Sequence, residues 1–205
     1  MSFRFYPSVF ALLMLILLVA CKQDYATRKQ RELASGVRND SIFLGMYFGM
    51  PRVDFYRRCL EMNQAGIVTN GDQNTSVLYV ISGYRQAINM NFYPDFSQGK
   101  IYNMKVWFDY QTWAPWNKEY YAATLVPDAL SILEKWFGPG FIKQRSPEGK
   151  PFWAKINGNR EITLRIQDER LLRADVTDLS VTPPANPAID SIPANPRPLW
   201  EQHKK

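Results

Sequence analysis

The chain has 205 residues and a formal charge of +6, with one histidine, two cysteines and 14% aromatic residues. That aromatic content leaves room for a packed core and excludes a wholly disordered chain. Residues 22–40 hold five bases and three acids, residues 41–180 sixteen and fourteen, and residues 181–205 three and two. With no cluster of bases to follow a phosphate backbone, a nucleic-acid partner is excluded.

In chain order, Arg4 comes first as a positive flank, followed by an unbroken apolar run from Val9 to Ala20. Twelve residues at a helical rise of about 1.5 Å cover roughly 18 Å, short of a hydrocarbon core of about 30 Å. The run is a secretory leader rather than a membrane span. Its end, Leu18-Val19-Ala20-Cys21, resembles the lipobox of bacterial lipoproteins. The resemblance implies that residues 1–20 are removed and that the Cys21 thiol carries diacylglycerol. It also implies that the protein is held in the cell envelope by lipid, with no other cofactor. Lys22 after the cysteine is similar to outer-membrane sorting signals. With Cys21 acylated, Cys59 has no partner for an intrachain disulfide, and it reads as a small buried apolar residue on a helix.

Residues 21–40 are polar and read as a tether holding the domain off the membrane, at most transiently helical around Ala26 to Ala34. Residues 41–180 read as one α+β domain. Pro51 suits a first helical position, and Phe55, Tyr56, Cys59, Leu60 and Met62 fall on one face before the stop at Gly66. Strands follow at Val77–Ser82, Gln86–Phe92 and Ile101–Asp109. In the last of these, Tyr102, Met104, Val106 and Phe108 share one face, and Asn103, Lys105 and Trp107 the other.

Pro127 marks a second helix start, with Leu130, Leu133, Trp136 and Phe137 on its face and Gly138-Pro139 at its end. A helical piece at about 118–125 would be kinked or broken by Pro127. Three more strands carry Phe152, Ala154 and Ile156, then Ile162, Leu164 and Ile166, then Leu172, Ala174 and Val176. Asn157-Gly158 turns the first two. The expected fold is an antiparallel sheet covered on one face by helices. The finer expectation is a duplicated helix-plus-three-strand unit. Six of fourteen prolines lie within residues 183–198, so residues 181–205 read as an extended, mobile tail or, with Leu199 and Trp200, a docking strip.

The stretch Gly45-Met46-Tyr47-Phe48-Gly49-Met50-Pro51-Arg52-Val53 resembles the helix entry of small outer-membrane lipoproteins of the SmpA type. That family is similar in fold to the beta-lactamase-inhibitor proteins, which repeat a helix-plus-sheet unit. The resemblance implies a non-catalytic protein that binds other envelope proteins.

His203 is the single histidine and lies three residues from the chain end, so the folded region offers no imidazole to activate a nucleophile. There is no Cys or His cluster with transition-metal spacing and no glycine-rich phosphate loop. A pair of carboxylates among Asp109, Glu119, Asp128, Asp168 and Glu169 is the remaining catalytic option, a glycosidase-like hydrolase. The other candidate is aromatic. Tyr110, Trp113, Trp116, Tyr120 and Tyr121 crowd one loop, with Trp107 and Tyr93 able to extend it. Their flat faces and polar edges suit a protein partner or a glycan, unless the rings fold back to cap the sheet. The expected protein is an envelope lipoprotein acting as a non-catalytic binding or assembly module. A glycan-binding protein with Trp113 and Trp116 as platforms is the alternative, and a carboxylate hydrolase is third.

Overall fold

The computed structural model describes residues 25–71 and 75–184; the leader, Cys21 and the tail from residue 185 on lie outside the described residues. Eight strands form one antiparallel sheet: β1 (Thr69–Asn70), β2 (Val77–Ile81), β3 (Ile88–Ser97), β4 (Lys100–Tyr110), β5 (Ile142–Arg145), β6 (Pro151–Asn157), β7 (Arg160–Ile166) and β8 (Leu172–Asp178). Among the described residues, three α-helices accompany them: α1 (Tyr25–Ala34), α2 (Arg52–Gln64) and α3 (Ala122–Phe137), with a 3₁₀ turn at Lys118–Tyr120. The strand order is β1-β2-β3-β4-β8-β7-β6-β5, so β4 and β8 meet at the centre. None of the described helices is long and apolar enough to cross a membrane.

The register sorts side chains onto two faces, because successive residues of a strand point to opposite sides. Val106 pairs with Phe92 and Ala174, and Ala174 with Leu164. Met90, Phe92, Met104, Val106, Phe108, Ile162, Leu164, Leu172, Ala174 and Val176 therefore share one face, and all are buried. Helix α3 covers this face with Leu125, Val126, Ala129, Ile132, Leu133 and Phe137. Leu130 and Trp136, expected on its apolar face, are only half-buried. Helix α2 adds Phe55, Tyr56, Cys59 and Met62 to the same core, with Phe55 edge-on to Tyr93 and Phe96. The chain before it contributes Ile42, Phe43, Met46, Phe48 and Met50.

The sheet is not covered on one face alone. Phe152 pairs with Arg165 and Ile156 with Glu161, which turns Phe152, Ala154 and Ile156 away from α3. Helix α1 lies over that stripe. Tyr25 packs edge-on against Phe152 and donates its hydroxyl to Glu161 at 2.6 Å, and Lys29 bonds the same carboxylate at 3.1 Å. Further along the helix, Glu32 accepts from the Gly158 amide. The polar segment expected to be a tether is thus, from Tyr25 on, a helix docked on the sheet. An apolar strip that α3 cannot reach requires a cover, and α1 provides it.

Other differences have local causes. Helix α3 runs unbroken through Pro127. Pro127 and Ala123, whose carbonyl its missing N–H would have bonded, are both exposed, so water can take that place. Eight strands form rather than six, since β1 has two residues and β5 reads Ile-Lys-Gln-Arg, too short and too charged for an alternation signal. The β6–β7 turn is Gly158-Asn159, one residue on from the expected pair. Gly158 has φ +59°, and a Cβ there would stand 2.1 Å from the Val37 carbonyl oxygen.

Candidate functional site

The face opposite α3 bears a lattice of polar and charged side chains across β3, β4, β8 and β7. The strand register puts Asn89, Asp95, Asn103, Lys105, Trp107, Asp109, Thr163, Arg165, Arg173, Asp175 and Thr177 on this side. They bond largely to one another. Thr177 donates to Asn103 at 2.9 Å, Asn103 to Asp95 at 2.9 Å, and Lys105 pairs with Asp95. Asp175 holds Arg173 at 2.7 Å and Arg165 at 3.1 Å. The Arg173 guanidinium lies 4.7 Å from the centre of the Trp107 ring. Trp107 itself is only half-buried. Arg170 forks onto Asp109 Oδ2 at 3.0 and 3.1 Å and sits 5.8 Å from the Trp113 ring.

Around the end of this face, an open cleft of about 450 Å³ is lined by Lys150, Pro151, Phe152, Thr163, Arg165 and Gln167 among others. The apolar floor at Phe152 continues under Tyr25, and Arg165 joins the cleft to the Asp175–Arg173–Trp107 row.

The aromatic loop does not act as one surface. Tyr110 is buried, donates to Asp128 at 2.7 Å and meets Tyr120 edge-on. Burial, reinforced by the Asp128 carboxylate, pushes the Tyr110 hydroxyl above its ordinary pKa. Tyr120 is half-buried against the core, and Tyr121 donates to the Pro115 carbonyl at 2.5 Å. Trp113 is half-buried 6.4 Å from Tyr121, and its indole N–H has no hydrogen-bond partner among the described residues. Trp116 is 86% exposed. Tyr93, a candidate extension, is 1% exposed, with its hydroxyl 2.9 Å from that of Tyr56. Four candidates thus serve mainly as structure (Tyr93, Tyr110, Tyr120 and Tyr121), while Trp107 and Trp116 present aromatic surface at separate places. Cys21 lies outside the described residues.

Four of the five candidate carboxylates are engaged one by one. Asp109 is 2% exposed under Arg170, Asp128 accepts from Tyr110, and Glu119 pairs with Arg85 at 3.0 Å. Asp168 caps the amides of Arg170 and Leu171, while Glu169 takes part through its backbone carbonyl, which accepts from Ala122, and, among the described residues, not through its carboxylate. Cys59 is buried, and burial pushes its thiol well above the ordinary range. Among the described residues, no three potential metal ligands come together.

The polar row was missed in the sequence because its members lie on four strands that are not consecutive in the chain. The one available signal was the Asn103-Lys105-Trp107 side of β4, which alternates with an apolar side. No protein-family model matches the chain, and neither a search of curated proteins nor one of solved structures finds a match.

Proposed function

We propose that this is a bacterial envelope lipoprotein, anchored through Cys21, that works as a non-catalytic binding or assembly module for another envelope protein. Its docking surface is the sheet face opposite α3, centred on Trp107, Arg173 and Asp175. The observation that carries the reading is a half-buried tryptophan under an arginine, flanked by acids and bases of both signs. Tryptophan and arginine are enriched among residues that dominate binding energy, and interleaved charges fix register against a complementary partner.

The anchor rests on the Leu18-Val19-Ala20-Cys21 pattern, as does an outer-membrane location on Lys22. The non-catalytic reading is supported by the absence of histidine from residues 1–202 and by carboxylates tied into structural pairs. A duplication fits the strand order. Helix α2 followed by β1–β4 and α3 followed by β5–β8 would be two helix-plus-four-strand units joined at β4 and β8.

The test is affinity purification of the natively processed protein after crosslinking in intact cells. Wild type should bring down one dominant envelope protein, and Trp107→Ala and Arg173→Glu should each lose at least about 90% of it, as expected for a centre worth about 1.4 kcal/mol or more. Recovery unchanged in both variants would overturn this docking surface. A glycan array in which a Trp113→Ala/Trp116→Ala double variant loses a wild-type signal would support sugar binding instead.

A further inference from the structure

We infer that the end of the sheet carrying the aromatic loop is seated on the membrane, with Trp116 in the headgroup layer of a lipid bilayer. The inference rests on the lipid anchor proposed above.

The strand directions place several loops at one end. The ends of β2, β4, β5 and β7 and the starts of β3, β6 and β8 all lie there, because Ile81 pairs with Ile88, Ile88 with Tyr110, Phe108 with Leu172, Leu172 with Ile166, and Arg145 with Pro151. This rim therefore gathers residues 82–87, 111–121, 146–150 and 167–171. Helix α1 points its amino terminus the same way. It runs in the direction of β6, with Tyr25 over Phe152 and Glu32 at Gly158. Cys21 precedes Tyr25 by four residues, which span at most about 14 Å of chain. From β6, under Tyr25, to β4, which leads into the aromatic loop, is three strand spacings, again about 14 Å. A lipid-bearing Cys21 cannot stand far from the bilayer, so the docked α1 ties this rim to the membrane rather than letting the domain swing on a long tether.

The rim's chemistry suits that position. Trp116 at 86% is the most exposed large apolar side chain among the described residues. Tryptophan, apolar in body and polar at its edge, favours the headgroup boundary. The four rim loops hold four bases (Arg85, Lys118, Lys150, Arg170) and four acids (Glu119, Glu148, Asp168, Glu169). A rim with no net charge is neither repelled by the surface nor dependent on anionic lipid, so the seat is aromatic rather than electrostatic.

The experiment uses the full, natively processed chain in phosphatidylcholine vesicles containing lipid with a nitroxide quencher near the headgroup. Cys59 is buried, so single cysteines introduced as Pro115→Cys, which keeps Trp116, or Val53→Cys can carry an environment-sensitive fluorophore. Val53 is 65% exposed at the start of α2, beside the β3–β4 turn at the opposite end of the sheet. The label at 115 should shift to the blue and be quenched, the label at 53 should remain in water, and 0.5 M salt should change neither. A chain that floats with the vesicles while both labels stay in water overturns the seat and leaves the anchor standing. A chain that does not float overturns both. A label at 115 that is in water on lipid vesicles but shielded in native membranes shows that a protein covers the loop, and also overturns the seat.

Discussion

Tyr110 shows how a residue suited to recognition becomes structural. Its ring closes the core at the end of β4, and its hydroxyl holds Asp128 of α3. Tyr110→Phe leaves a partly buried carboxylate short of a donor, which costs about 1–3 kcal/mol and should lower the urea midpoint without changing the slope. Asp40 makes a pH prediction. Hydrogen bonding from Arg38, with help from Asn159, holds its carboxyl below the usual range against the opposing effect of burial. A depressed carboxyl contributes stability that is present above its unfolded value of about 3.9 and is lost as pH falls through its lower folded value. Asp40→Asn should therefore cost up to about 1 kcal/mol at neutral pH, since Arg38 is largely solvated, and the difference from wild type should shrink below about pH 4. Acid unfolding followed by circular dichroism measures both limbs.

At the scale of elements, periodicity identified α2, the second half of α3 and the strands built on alternating residues. The positions named for β4 fall on the faces expected of them. Periodicity could not tell which face each strand turns to the core. Phe152, Ala154 and Ile156 form as clean a stripe as Leu172, Ala174 and Val176, yet the register sends the two in opposite directions. The helix that covers the first stripe has no fully buried residue and carries mostly charged and polar side chains. Its docking depends on Tyr25, Lys29 and Glu32 rather than on an apolar face. Tyr25→Ala should release α1 and speed hydrogen exchange in residues 26–34 by tenfold or more, corresponding to a local loss of about 1.4 kcal/mol, while β4 and β8 remain protected. Gly158→Ala disturbs the same corner through the backbone. It forces a side chain into the left-handed region, at about 1–2 kcal/mol, and against the Val37 carbonyl, so its total cost should exceed that range in equilibrium unfolding.

At the scale of the molecule, the sheet separates two kinds of surface. One face is sealed by α3, and α2 and the chain before it complete a single apolar core. The opposite face, away from α1, remains a field of paired charges around Trp107. Sequence alone pointed to the crowded loop after β4 because its aromatics are neighbours in the chain. The row centred on Trp107 is assembled from β4, β7 and β8, and only the pairing of strands brings it together. In the proposed membrane seat the aromatic loop has a different use, at the rim from which the proposed anchor would depart.

The most direct measurement places a photoreactive phenylalanine derivative at position 107 of the natively processed protein in intact cells, with a control at Val53. Position 107 should give one discrete envelope-protein adduct and position 53 none. Position 107 giving no adduct, or both positions giving the same mixture, would contradict the proposed docking surface.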